Sequence, residues 1–70
     1  MLTVREFLDM FLDNYQLFRL YDIESGDYLM NTEQEGVLAK DISPDYYDYK
    51  VETLDCVDEY GILGLNISNN

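Results

Sequence analysis

Residues 3–13, TVREFLDMFLD, restrict the possible folds most strongly, because they carry a clear helical period. Their apolar side chains recur every three or four residues and would line one face of an α-helix. These side chains are Val4, Phe7, Leu8, Phe11 and Leu12. Thr3 and Glu6 have the spacing of a capping box, in which each side chain binds the backbone amide of the other residue. The sequence therefore predicts an N-terminal helix over residues 3–13.

Four other segments are predicted to form β-strands, since they combine aromatic or branched side chains with flanking turn residues. They span residues 15–23, 27–32, 50–58 and 62–68. The first two flank ESGD, where Gly26 can adopt a positive φ, and the last two flank DEYG, where Gly61 can do the same. Each pair is therefore predicted to form a hairpin. Alternation turns one set of their side chains towards the core: Phe18, Leu20, Leu63, Leu65 and Ile67.

The segment between the hairpins is predicted to be a loop over residues 34–43 that tucks Val37, Leu38 and Ile42 under the core. Ser43 and Pro44 are typical of a helix start, so residues 44–48 are predicted to form a short helix. The order helix, hairpin, short helix, hairpin predicts an α+β fold. In that fold a four-stranded antiparallel sheet carries the long N-terminal helix across one face.

The second face of this sheet is expected to be more apolar than is usual for a surface in contact with water. It would carry Leu17, Tyr21, Tyr28, Met30, Val51 and Val57. An exposed patch of several hundred Å² usually marks an interaction site. Two interpretations stay open: the short helix covers this face, or a second copy of the chain covers it in a homodimer.

The charge balance limits the possible partners. The chain of 70 residues forms one domain, and its 15 acidic and 4 basic side chains give a net charge of −11 at pH 7. Its apolar content of 47% is too high for a disordered acidic tail. The charge repels nucleic acid and anionic membranes, so an electrostatic partner must be basic. The sequence shows neither a signal-peptide pattern nor a membrane-spanning apolar stretch, which favours the cytoplasm.

No pattern in the sequence indicates catalysis, a cofactor or a metal site. The chain has no histidine, and Cys56 has no activating base, so Cys56 is predicted to be a small core residue without a disulfide. Residues 22–33, DIESGDYLMNTE, place Asp22, Glu24 and Glu33 like calcium ligands, but the glycine falls one position early. A β-hairpin with a polar turn is the favoured interpretation of that segment, and we expect a protein that is not an enzyme.

Acidic and tyrosine side chains are densely mixed in residues 45–60, DYYDYKVETLDCVDEY. Carboxylates about 6 Å apart on a strand or helix form a row comparable in density to a phosphate backbone. Tyrosine adds rigid area that stacks on arginine. The predicted partner-binding residues are Asp45, Tyr46, Tyr47, Asp48, Tyr49, Glu52, Asp55, Asp58, Glu59 and Tyr60, with Glu6, Asp9 and Asp13 as a second acidic face. The alternative is a solvated acidic surface without a charge-reading role.

The stretches TVREFLDMFLD, RLYDIESGD and VETLDCVDEYGILGLNIS also carry a resemblance. In size, element order and charge the chain resembles small acidic accessory proteins of phages and mobile elements of Gram-positive bacteria. Some of these inhibit CRISPR nucleases or restriction enzymes by occupying a nucleic-acid-binding groove. The resemblance implies an inhibitor of a basic host-defence nuclease in the bacterial cytoplasm. The competing hypothesis is a small non-catalytic interaction or oligomerisation module that uses its apolar sheet face.

Overall fold

The computed structural model describes residues 1–11 and 14–70, and the predicted helix residues Leu12 and Asp13 lie outside this part. In chain order the elements are α1 Val4–Met10, β1 Leu17–Asp22, β2 Asp27–Leu29, α2 Thr32–Glu35, β3 Val37–Leu38, β4 Lys50–Leu54 and β5 Ile62–Ser68. Two 3-10 turns, Ala39–Asp41 and Pro44–Tyr46, connect β3 to β4. The predicted α+β class is confirmed.

The N-terminal helix α1 begins at the predicted capping box. The Glu6 amide donates to Thr3 Oγ1 at 3.2 Å, and the Thr3 amide donates to Glu6 Oε1 at 3.0 Å. The helix ends at Met10, earlier than predicted, because Phe11 is already extended with φ −90° and ψ 119°. Outside the helix, the Phe11 ring packs edge-on against Phe18, with 5.4 Å between ring centroids.

The strands form one sheet in the order β2-β1-β5-β4, and β3 adds a short ladder to β1. Both predicted hairpins form, since β2 pairs antiparallel with β1 and β4 antiparallel with β5. The prediction of four antiparallel strands is wrong: the sheet has five strands, and β1 and β5 are parallel, with Phe18 opposite Leu63 and Leu20 opposite Leu65. Side-chain alternation identifies the buried face of a strand but is the same for both pairing directions, so it could not distinguish them.

Residues 30–36 leave the sheet between β2 and β3, and we call this segment the excursion. The predicted strand 27–32 is too long, since Met30 and Asn31 adopt left-handed backbone conformations with φ 56° and 54°. Left-handed non-glycine residues are uncommon, so the side-chain pattern did not indicate this strand end. The segment predicted to be a loop, residues 34–43, instead contains the last two residues of α2, the whole of β3 and the 3-10 turn Ala39–Asp41.

Thr32, the first residue of α2, repairs the interruption in the β1 ladder. Its Oγ1 accepts a hydrogen bond from the Leu20 amide at 2.9 Å and donates one to the Leu29 carbonyl at 2.7 Å. The Thr32 side chain therefore takes the place of a backbone partner for a buried strand amide. Thr32 is itself fully buried, and it fastens the excursion to the sheet.

A bulge in β4 changes which side chains reach the core. The register shifts between Val51 and Thr53, and Val51 lies opposite the fully buried Ile67 and packs on the core. Met30 also packs on the core, because the chain has left β2 at that point. The prediction that Val51 and Met30 lie on the second sheet face is therefore wrong.

β4 ends at Leu54 rather than at residue 58, and the segment after it contains no strand residues. Cys56 and Val57 lie in that segment and are both exposed. The prediction of Cys56 as a core residue is wrong. It assumes a strand that continues to residue 58, whereas β4 ends at Leu54 and Cys56 lies beyond it.

One apolar core lies between α1 and the sheet. It consists of Val4, Phe7, Phe18, Leu20, Ile42, Leu63, Leu65 and Ile67, so the predicted core alternation of the central strands is confirmed. Ile42 reaches this core from the connection between β3 and β4, as predicted. The short helix predicted over 44–48 forms as the 3-10 turn Pro44–Tyr46, capped by a hydrogen bond from the Asp45 amide to Ser43 Oγ at 3.2 Å.

We call the sheet face under α1 the helix face and the opposite face the outer face. Successive side chains of a strand point to opposite faces, so the residues that alternate with the core residues lie on the outer face. They are Leu17, Arg19, Tyr21, Thr53, Ile62, Gly64, Asn66 and Ser68. The excursion covers one part of the outer face, because a Cβ at Gly36 would lie only 3.3 Å from Ile62 Cγ2. Ile62 is accordingly buried, although it belongs to no part of the core beneath α1.

Candidate functional site

The acidic residues predicted to form a row between Asp45 and Glu59 do not share one face of the sheet. Asp45 and Asp48 lie beside tyrosines that pack on the core at the helix face. Glu52, Asp55 and Asp58 make their contacts with side chains of the outer face. Glu59 is exposed in the turn between β4 and β5. The row predicted from the sequence therefore comprises two acidic groups with different surroundings.

Asp58 holds the β4–β5 turn together. Its Oδ1 accepts the amides of Tyr60 at 2.9 Å and Ile62 at 3.1 Å, and its Oδ2 forms an ion pair with Arg19 at 3.0 Å. The Ile62 amide, followed by the Tyr60 amide and Arg19, lowers the pKa of the Asp58 carboxyl. Arg19 also donates through Nε to the Glu33 carbonyl at 2.6 Å, so it joins the turn to the excursion. Asp58 is thus engaged within the fold.

Glu52 and Asp55 combine exposure with a defined orientation. Glu52 Oε2 accepts a hydrogen bond from Ser68 Oγ at 2.7 Å, and Asp55 Oδ1 lies 3.4 Å from Asn66 Nδ2. Gly64 leaves room for the aspartate, since a Cβ there would lie 3.1 Å from Asp55 Cβ. Both carboxylates remain exposed and lie in no ion pair within the described part of the chain.

The tyrosines of the predicted site divide into buried and exposed members. Tyr46, Tyr47 and Tyr49 are half-buried against the core, and the Tyr46 and Tyr49 rings meet edge-on at 5.4 Å. The Arg5 guanidinium lies over the Tyr47 ring, 5.6 Å from its centroid. Tyr60 is 70% exposed. Three of the four tyrosines therefore have packing roles that limit the area they can offer to a partner.

The second acidic face predicted on the helix is partly engaged. Glu6 completes the capping box, and its hydrogen bonds with the Thr3 amide and then the Thr3 hydroxyl lower its carboxyl pKa. Asp9 is exposed, whereas Asp13 lies outside the described residues.

Asp9 shares a small cleft with two of the four cationic residues of the chain. The cleft has a volume of about 260 Å³, and Arg5 and Lys40 line it together with Asp9 and Tyr47. The acidic character of the helix side is therefore reduced locally by positive charge.

The excursion forms an acidic concavity that the sequence did not indicate. It is open to solvent, has a volume of about 980 Å³ and lies between β2 and α2. Its charged lining residues are Asp27, Glu33 and Glu35, and no cationic residue lines it. The spacing of Thr32 and Glu35 matches a capping box. It would not have located α2 correctly, because Asn31 is the N-cap and the Thr32 hydroxyl binds Leu20 and Leu29 instead.

Tyr21 and Tyr28 form an aromatic pair beside this concavity. They lie opposite each other across the β1–β2 ladder, with ring centroids 5.0 Å apart. Tyr28 also lines the concavity and is 38% exposed. Aromatic area and carboxylates therefore adjoin each other at this edge of the sheet.

The segment that resembled a calcium loop forms the predicted hairpin. Asp22 accepts hydrogen bonds from the Glu24 amide at 3.1 Å and from Ser25 Oγ at 3.1 Å, and Glu24 accepts one from the Asn69 amide at 2.8 Å. Within residues 1–11 and 14–70, no group of three or more histidine, cysteine, aspartate or glutamate side chains is arranged to hold a metal ion. None of the helices described there has the length and apolarity needed to cross a membrane.

Comparisons of the chain with protein-family models, with curated proteins and with solved structures found no match.

Proposed function

We propose that this protein is a non-catalytic inhibitor whose carboxylates occupy the basic nucleic-acid-binding groove of a nuclease. One observation carries the proposal: every described acidic side chain except Asp22 and Asp58 is exposed, and the only ion pair within residues 1–11 and 14–70 joins Arg19 to Asp58. The protein therefore presents a large excess of unneutralised carboxylates on a folded scaffold.

A cationic groove would relieve the mutual repulsion of these carboxylates. Binding of a protein to nucleic acid depends on neutralised phosphates and released counterions, and carboxylates at similar spacing can substitute for those phosphates. The association should weaken with salt and should exclude DNA or RNA from the groove. A host-defence nuclease, either a CRISPR effector or a restriction enzyme, is the proposed partner class, and the bacterial cytoplasm is the proposed location.

The test measures DNA cleavage by a panel of CRISPR effectors and restriction enzymes with the protein added at low and high salt. We expect at least one nuclease to be inhibited, and excess non-cleavable DNA and high salt to restore its activity. Absence of inhibition across the panel, or inhibition that competing nucleic acid does not relieve, would refute the proposal.

A pair of variants separates charge from shape. Replacing Asp45, Asp48, Glu52 and Asp55 by their amides removes four charges and should abolish inhibition. The control exchanges aspartate and glutamate at the same four positions, which keeps every charge and should keep inhibition. Asp58 is left unchanged in both variants, because its contacts with Arg19 and the turn amides support the fold.

The competing hypothesis, an oligomerisation module with an apolar sheet face, loses part of its basis. Val51 and Met30 pack on the core, and Arg19 and Asn66 occupy the centre of the outer face. A homodimer stays a prediction, and sedimentation equilibrium over a range of protein concentrations would test it. A salt-insensitive monomer would count against an assembly on that face.

A further inference from the structure

We infer that the basic partner adds an extended segment to the outward edge of β4 at Leu54 and pairs there antiparallel to β4. The inference rests on the proposed function and specifies how the partner is recognised. We call the side of Thr53, Leu54 and Asp55 that faces away from β5 the open edge. In recognition by strand addition, backbone hydrogen bonds provide affinity and the alternate side chains of the added strand provide specificity.

The backbone of Leu54 has hydrogen-bonding groups directed away from the sheet. β4 is the last strand in the order β2-β1-β5-β4, so β5 flanks it on one side only. The Asp55 amide donates to the Gly64 carbonyl at 2.9 Å and therefore points towards β5. Since these directions alternate along an antiparallel strand, the amide and carbonyl of Leu54 point outward. Within residues 1–11 and 14–70, no backbone group meets them there.

The N-terminal segment already adds to this side of β4, two to three residues before the open edge. Thr3 lies opposite Lys50 in an antiparallel bridge. The Val51 amide donates to the Leu2 carbonyl at 2.8 Å. The folded protein thus shows that this side of β4 accepts an extended segment. In the described part of the chain that cover ends at Val51 and leaves Leu54 open.

The side chains at the open edge differ between the two faces of the sheet. Leu54 lies opposite the core residue Leu65, so its side chain is on the helix face, where it is 50% exposed at the rim of the core. Thr53 lies opposite Asn66 on the outer face, and Asp55 Oδ1 lies 3.4 Å from the same asparagine side chain. An added strand therefore meets an apolar side chain on one face and a carboxylate on the other.

Charge favours a basic segment over a second copy of this chain as the occupant. Glu52 and Asp55 are exposed and lie in no ion pair among the described residues. Pairing two β4 edges would bring these carboxylates together in copies that each carry a net charge of −11. Like charges on neighbouring strands destabilise the pairing, and opposite charges stabilise it. The fitting occupant alternates apolar side chains, which cover Leu54, with basic side chains on the outer face.

The probe is a short peptide that alternates valine with arginine. The control peptide has the same composition and charge, with its valines and arginines in separate blocks. We expect the alternating peptide to bind roughly tenfold more tightly, because only it can pair with β4 and match both faces. Hydrogen exchange of the Leu54 amide should slow in the complex, whereas the amides of β2, at the other edge of the sheet, should be unchanged.

Methylated peptides test the direction of pairing. In an antiparallel pair the residue opposite Leu54 shares its face and directs its own amide at β4, so that residue is a valine. Methylation of the valine nitrogens should therefore abolish the tenfold preference, whereas methylation of the arginine nitrogens, which point away from β4, should retain it.

Variants of the protein provide the complementary test. Leu54→Pro removes the outward amide and should abolish the preference for the alternating peptide, whereas Leu54→Ala keeps the amide and should retain part of it. Glu52→Gln with Asp55→Asn should weaken binding several-fold. The matched control, Glu33→Gln with Glu35→Gln, removes two charges from α2 and should change little. Circular dichroism confirms folding, and if the proline variant does not fold, the methylated peptides test the same hydrogen bond.

Equal binding of the two peptides, an unprotected Leu54 amide or equal weakening by both charge variants would overturn the inference. Inhibition in the nuclease panel is measured separately on the wild type. If inhibition persists beside any of these results, the proposed function stands and only the docking edge is wrong. If the alternating peptide protects Leu54 but no nuclease is inhibited, the proposed function is wrong and the edge remains a peptide-binding site.

Discussion

The single hydroxyl of Thr32 should decide whether the excursion stays attached to the sheet. Thr32→Val keeps the volume of the side chain and removes both hydrogen bonds, which leaves the buried Leu20 amide without a partner. An unsatisfied buried donor costs about 1–3 kcal/mol, so we expect the variant to lose roughly 2–3 kcal/mol of stability. For a domain of this size, that loss lowers Tm by roughly 10–20 °C.

Thr32→Ser provides the matched control, because it keeps the hydroxyl and removes only a methyl group. Burial of such a group contributes about 0.8 kcal/mol, so the serine variant should lose about 1 kcal/mol. Urea denaturation followed by circular dichroism gives both values, and hydrogen exchange reports the Leu20 amide directly. A valine variant as stable as the wild type would refute the reasoning, since it would mean that the two hydrogen bonds at 2.9 and 2.7 Å contribute nothing.

Three further perturbations have defined outcomes. Gly36→Ala should destabilise the fold by about 3 kcal/mol in urea denaturation, because Gly36 has φ +69° and a Cβ would lie 3.1 Å from the Phe18 carbonyl oxygen. Asp58→Asn should reduce stability at neutral pH. Since the pKa of Asp58 is lowered in the fold, the difference from the wild type should be present above its ordinary value of 3.8 and vanish as the pH falls through the folded value. Cys56 should react with an alkylating reagent in the native protein, as an exposed thiol does.

Each of these outcomes has a contrary result. An alanine at position 36 without measurable cost would contradict the close approach of the excursion to β1. A stability difference for Asp58→Asn that persists unchanged into strong acid would show that its charge is not involved. Alkylation of Cys56 that requires unfolding would place the thiol inside the fold.

The sequence determined the local elements whose signals lie within a few residues. The capping box of Thr3 and Glu6 and the alternation in β1 and β5 predicted their structures correctly. The apolar stripe predicted the existence and start of α1 but placed its end too late, since Phe11 is already extended. These features depend on backbone hydrogen bonding and on which side of a helix or strand is apolar. Both are properties of consecutive residues.

The tertiary structure decided how these elements combine and where the acidic groups stand. The parallel pairing of β1 with β5 joins residues far apart in the chain, and the excursion depends on a hydrogen bond between Leu20 and Thr32. The sequence marked residues 45–60 as acidic, but only the sheet separates Asp45 from Asp55 and brings Glu33 to Arg19. The physical reason is that charge density is readable along the chain, whereas its distribution over a surface follows from strand pairing that apolar alternation leaves undetermined.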